Sequence, residues 1–176
     1  MLGIKAIQKF FWKKRCEAFQ RGLLRYRHHR TDPEFIAGLM LYWAEGTKHQ
    51  GASVSNSDPR LIRFMMKWFR RYYEISPIEF SIHLHLHTGQ NENKMKRYWS
   101  DMTKVPLDNF HKSFVKPEGS GYRKNHLYNG TVKLRVKRKG STYTLFEILG
   151  SLAAFLHASI GNTIKPEAWM KKLPYA

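Results

Sequence analysis

Acidic residues are scarce in this chain: 13 Asp+Glu stand against 31 Lys+Arg over 176 residues, a formal net charge of +18 at pH 7. That imbalance is the electrostatic footprint of a nucleic-acid binder, because contacts to phosphate supply most sequence-independent affinity. A ribosome-associated or merely soluble basic protein is the plainer reading, and an anionic membrane surface is a further rival. Cysteine is rarer still. Cys16 stands alone, which excludes an intramolecular disulfide and a cysteine-based zinc finger and suits a reducing compartment. Long apolar runs are missing too, with none read as approaching the ~20 residues that span a membrane. No secretory core is visible, and nothing resembles a nucleotide-binding loop, a Ser/His/Asp triad or a cysteine nucleophile. A cytoplasmic or nucleoid-associated protein is expected; the basic, acid-poor N-terminus leaves an organelle as the alternative.

What is present is the composition of a packed domain. Hydrophobic residues make up 42% and aromatics 14%, which argues against disorder. The length fits one domain with an N-terminal arm. Residues 1–30 hold nine Lys/Arg and one acid, Glu17. Ile4, Ile7, Phe11, Phe19, Leu23 and Tyr26 recur there at near-helical spacing, so a basic amphipathic arm is predicted. It either lies along a DNA backbone or packs on the domain with a solvated charged face. Residues 31–160 form the main domain and 161–176 a tail or short helix around 166–173.

Within the domain, Asp58-Pro59 starts a helix over 59–73 with Leu61, Ile62, Met65, Trp68, Phe69 and Tyr72 as its apolar stripe. Residues 78–87 alternate as a strand: Ile78, Phe80, Ile82, Leu84 and Leu86 inward, Glu79, Ser81, His83, His85 and His87 outward. Residues 91–102 read as a helix. Residues 105–121 read as irregular, with Gly119 to Gly121 as the tip. Residues 130–137 form a second strand, with Val132, Leu134 and Val136 inward and Thr131, Lys133, Arg135 and Lys137 outward. A helix over 141–157 closes an α+β domain, its helices on one face of a mostly antiparallel sheet.

The most informative stretch is residues 35–46. Asp32-Pro33 gives it a helix start. Ile36, Leu39, Met40 and Trp43 fall on one face; Ala37, Gly38, Leu41 and Ala44 fall on another that is flat and small. A helix apolar all round is expected to be buried on both sides, the small face against a partner helix. Glu45 ends it, a lone acid in a basic chain and so a candidate metal ligand. Gly46 is read as permitting a tight turn that brings carbonyls to the ion.

Gly38-Leu-Met-Leu-Tyr-Trp-Ala-Glu-Gly46 resembles the signature of the LAGLIDADG homing endonucleases, with Glu45-Gly46 in place of the final Asp-Gly. Val54-Ser-Asn-Ser-Asp-Pro-Arg-Leu-Ile-Arg63 is similar to the step that follows the motif in that family. Met40 stands where the family usually has Gly, and Trp43 where its first Asp would be. The resemblance implies a homing-endonuclease-like fold and a homodimer whose motif helices meet through Ala37, Gly38, Leu41 and Ala44. It further implies Mg²⁺ or another divalent cation at Glu45 and Gly46, with cleavage of double-stranded DNA through Glu45. A two-fold dimer in turn implies a roughly palindromic target.

Base and phosphate contacts are expected from Lys48, His83, His85, His87, Lys133, Arg135, Lys137 and Lys139, since a small sheet can enter the major groove. Lys on a strand can equally serve to block aggregation. The three strand histidines also admit a metal reading. Their outer pair spans roughly 13 Å at about 3.3 Å per residue, so an adjacent pair would need help from His126 or Glu79. For Glu45 the alternative is a structural carboxylate capped by Lys48. At the level of function the alternatives are a non-catalytic DNA-binding or transcription-regulating module of the same fold, and an RNA-binding or splicing-helper protein.

Overall fold

The structure, a computed structural model, describes residues 3–49, 51–117 and 128–161. The chain is α+β, with five helices and one four-stranded mixed sheet among the described residues. It divides into two compact units, one from Met1–Ala52 with Arg138–Ala176 and the other Ser53–Lys137.

The first unit is helical: α1 (Ile4–His29), α2 (Pro33–Glu45) and α5 (Arg138–Ile160). Small residues set how α1 and α5 meet. A Cβ built on Gly22 would lie 2.0 Å from the Glu147 carbonyl oxygen, and one on Gly150 would lie 2.1 Å from that of Phe19. The two backbones therefore touch, and the Ser151 hydroxyl donates to the Gly22 carbonyl across the seam at 2.9 Å. Arg21 and Arg25 both reach Glu147, at 2.7 and 3.1 Å. Phe19 is buried, but Ile4, Ile7, Phe10 and Phe11 are exposed. The stripe read along the N-terminal helix thus packs only in its later turns.

Residues 140–160 of α5 are long and apolar enough, by composition, to cross a membrane. This corrects the reading that no run approaches that length. Leu145, Phe146, Ile148, Leu149 and Leu152 are fully buried, as the core helix of a packed domain requires. In α2, Asp32 accepts from the backbone of Glu34 and Phe35 and Pro33 opens the helix, as its sequence predicts. Phe35, Gly38, Leu39 and Tyr42 are buried, while Trp43 is 43% exposed. Ala37 and Ala44 are exposed, and Ile36, Met40 and Leu41 half-buried. The helix is covered on one face, not two, and the expected grouping of Leu39 with Trp43 and of Gly38 with Ala37 is split between covered and open sides.

The second unit is an α+β layer: β1 (Ser53–Asn56), α3 (Pro59–Tyr73), β2 (Phe80–His87), α4 (Glu92–Thr103), β3 (Phe114–Lys116) and β4 (Thr131–Val136). The sheet order is β1-β4-β2-β3. β4 pairs antiparallel with both β1 and β2, and β3 lies parallel to β2. Val54, Phe80, Ile82, Leu84, Leu86, Val132 and Leu134 form the buried face. The stripe of α3 packs on it, with the Phe69 and Phe80 rings 5.6 Å apart.

Two sequence expectations change here. Pro77–Glu79 is a 3-10 turn closed by a Ser76–Glu79 capping box, so Ile78 is 62% exposed instead of inward. The stretch read as irregular contains a second 3-10 turn, Leu107–Asn109, and β3. Residues 119–121 and 166–173 lie outside the described residues.

Candidate nucleic-acid interface

Opposite the buried face, the sheet shows a polar one. Direct cross-strand partners share a face, so the register builds rows across it. Ser53, Arg135 and Ser81 form one row, in which both serines are buried; Ser55, Lys133 and His83 form the next; Thr131 and His85 form the third. The four strands contain no Asp or Glu. His83, His85, His87, Lys133 and Arg135 are half-buried.

His111 adds to this face. Its backbone N–H donates to the Ile82 carbonyl at 2.9 Å, and its ring stacks on His83 at 3.9 Å with 13° between planes. Sequence reasoning missed it because residues 105–121 show no alternation to reveal a strand edge. The third row ends on an aromatic, with the His85 and Phe114 rings 5.7 Å apart. Burial lowers the His83 pKa, and His111, Lys133, Arg135 and His85 push the same way. The face thus gathers basic side chains around a central imidazole whose proton is disfavoured first by burial and then by those neighbours.

Lys137 is placed differently. It follows β4, its backbone N–H donating to Glu79 and its ammonium to Asn109 Oδ1 at 2.7 Å. Its side chain secures the 3-10 turn of Leu107–Asn109. His87, at the far end of β2, pairs with Lys116. The side chain of Lys139 lies outside the described residues, as does His126, and Glu79 is engaged by Ser76. Among the described residues no group of three or more His, Cys, Asp or Glu could hold a metal ion.

The end of α2 is built otherwise than its sequence suggests. Gly46 has φ −82°, ψ 154°, ordinary extended backbone that demands no glycine. Space demands it: a Cβ there would meet the Tyr42 carbonyl oxygen at 2.5 Å and its ring at 2.7 Å. The Tyr42 hydroxyl donates to Thr47 at 2.7 Å, and the Thr47 hydroxyl to Gly51 at 2.7 Å. These bonds fold the segment back over the helix end. The Lys48 ammonium donates to the carbonyls of Trp43 and Gly46, the latter at 2.8 Å. Free carbonyls at a helix C-terminus attract a cation. Burial lowers the Lys48 pKa, and the charge of Glu45 opposes that shift. Glu45 itself is exposed.

A divalent metal fits poorly on this arrangement. Of the two groups expected to hold it, the Gly46 carbonyl already accepts from an ammonium, and Glu45 alone remains. A divalent ion about 4 Å from that ammonium would be repelled by roughly 8 kcal/mol at an effective dielectric of 20. The small face expected at a dimer interface is open at Ala37 and Ala44, half-buried at Leu41 and buried at Gly38.

No protein-family model matches the chain, and no curated protein or solved structure matches it either.

Proposed function

We propose that this protein binds double-stranded DNA through the polar face of its sheet, as a homodimeric DNA-binding protein with a LAGLIDADG-like fold. The observation that carries this reading is the acid-free surface of β2 and β4, where Lys133, Arg135, His83 and His85 stand in adjacent rows. Side chains alternating on a small sheet suit the major groove, Arg and Lys to guanine edges or phosphates. The net charge of +18 supplies the long-range attraction.

Replacing Lys133 and Arg135 together with Ala tests it. Duplex affinity falls at least tenfold, and the slope of log affinity against log salt drops by about 2, roughly one per lost phosphate contact. Anisotropy titrations at several salt concentrations measure both. Unchanged affinity removes the sheet from the account, and preferential competition by structured RNA moves the partner to RNA.

A second reading, Mg²⁺-dependent phosphodiester cleavage at Glu45, draws on the exposed carboxylate beside an open helix face. It requires Lys48 to release the Gly46 carbonyl. A randomised duplex library incubated with Mg²⁺ decides between the readings. Defined ends from the wild type and not from Glu45→Gln would carry the second; shifted but uncut DNA would leave the first.

A further inference from the structure

We infer that the Lys48 ammonium is a resident cation of the α2 terminus, standing where the sequence places a divalent metal, and that it keeps the Glu45–Gly46 turn free of Mg²⁺. The inference rests on reading α2 as the resembled motif, not on DNA binding.

Three features converge on it. The ammonium satisfies two carbonyls at once, Trp43 in the last turn of α2 and Gly46 just beyond it. Both belong to the partly negative end of a helix, where any cation is favoured. A tethered cation also has an advantage over a free one, because covalent attachment raises its effective concentration there.

The second feature is that the tether is short and held. Lys48 follows Gly46 by two residues, and the intervening Thr47 is fixed at both ends by the Tyr42 hydroxyl and the Gly51 carbonyl. Tyr42 is itself fully buried. The return of the chain over the helix end is therefore set by packing, which delivers Lys48 to the carbonyls.

The third is charge. Glu45 is the carboxylate that ends α2, and Lys48 lies within its field. The pair sums to zero, so the turn has no net charge left with which to draw Mg²⁺ out of water. That ion gives up hydration reluctantly and favours sites with one or two uncompensated carboxylates. A lysine also keeps one N–H beyond the two spent on carbonyls. The terminus is thus equipped to meet a phosphate oxygen directly, as a fixed positive contact without a metal bridge.

Mn²⁺, a spectroscopic substitute for Mg²⁺, tests this on the full chain without DNA, its free fraction read by electron paramagnetic resonance. Wild type binds no Glu45-dependent Mn²⁺ at millimolar concentration. Lys48→Ala gains one Glu45-dependent site per chain, filled at a Mn²⁺ concentration at least tenfold below the highest that leaves the wild type empty, and Lys48→Ala with Glu45→Gln loses it again. Lys48→Met keeps the packed stem and serves if the alanine variant melts early; Lys48→Arg stays metal-free. Two outcomes overturn the inference: Glu45-dependent Mn²⁺ binding by the wild type as tight as by Lys48→Ala, or folded Lys48→Ala and Lys48→Met that bind none. Duplex binding is measured separately, so a wild type that ignores DNA defeats the proposed function and leaves the Mn²⁺ result standing.

Discussion

His83 concentrates the electrostatics of the sheet face in one imidazole. Burial, the stacked His111, Lys133, Arg135 and His85 all disfavour its proton. Its folded pKa lies below the unfolded value, near 6.5. It therefore favours the fold above that value, and the contribution is lost as pH falls through the depressed folded value. A polyanion laid on the face reverses the balance and raises the pKa. If the proposed DNA contact is made here, binding takes up a proton, and affinity rises by up to about tenfold per pH unit per proton as pH falls from the raised bound value toward the depressed free one. Anisotropy at pH 5.5 and 7.5 at fixed salt shows this rise, and His83→Gln flattens it. Parallel curves for wild type and variant would place the linked proton on another group. His83 was legible as an outward residue on an alternating strand. Its depressed basicity was not, because His111 arrives from a segment with no readable periodicity.

At the scale of elements, the helical unit depends on one seam. Gly22 and Gly150 let α1 and α5 touch backbone to backbone, and neither glycine sits where its conformational freedom is needed. A methyl group at Gly150 must separate the helices and strip partners from the buried Ser151 and Phe19. Gly150→Ala lowers stability by about 2–3 kcal/mol, the cost of overpacking a tight core. Denaturant melts measure it, and a variant within 0.5 kcal/mol of wild type, the usual spread for surface changes, would mean the seam opens freely. The helices themselves were legible. Asp32-Pro33 and Asp58-Pro59 mark their starts with a cap and a preset φ, and both caps are made. The strand start at Ile78 was misread because alternation continued by chance into Pro77–Glu79, where the Ser76–Glu79 box closes a 3-10 turn. Three-residue β3 has no period to show and exists through its pairing with β2.

For the molecule as a whole, charge and assembly are the governing quantities. A net +18 opposes the association of two copies, so a dimer needs apolar contact to offset it. The open side of α2 offers exposed Ala37, Trp43 and Ala44 beside half-buried Leu41. If the proposed dimer pairs through this side of α2, Ala44→Glu places a charge in the contact and shifts dimer to monomer in sedimentation velocity at micromolar protein. It weakens binding to a palindromic duplex more than to a half-site. A wild type that stays monomeric on DNA would dismiss the paired-helix arrangement.

Local physics decides the helix starts, the apolar faces of α3, β2 and β4, and the sign of the charge, and all of these are legible along the chain. A capped turn or an alternating strand depends on neighbours a few residues away, and net charge depends on no neighbours at all. Which outward residues share a surface follows instead from how the elements pack. Lys133 came beside His83, His111 onto His83, and the Lys48 ammonium onto the carbonyls of α2, while one side of that helix stayed open. These juxtapositions follow from strand order and close packing, which join positions far apart in the chain and leave no periodic mark along it.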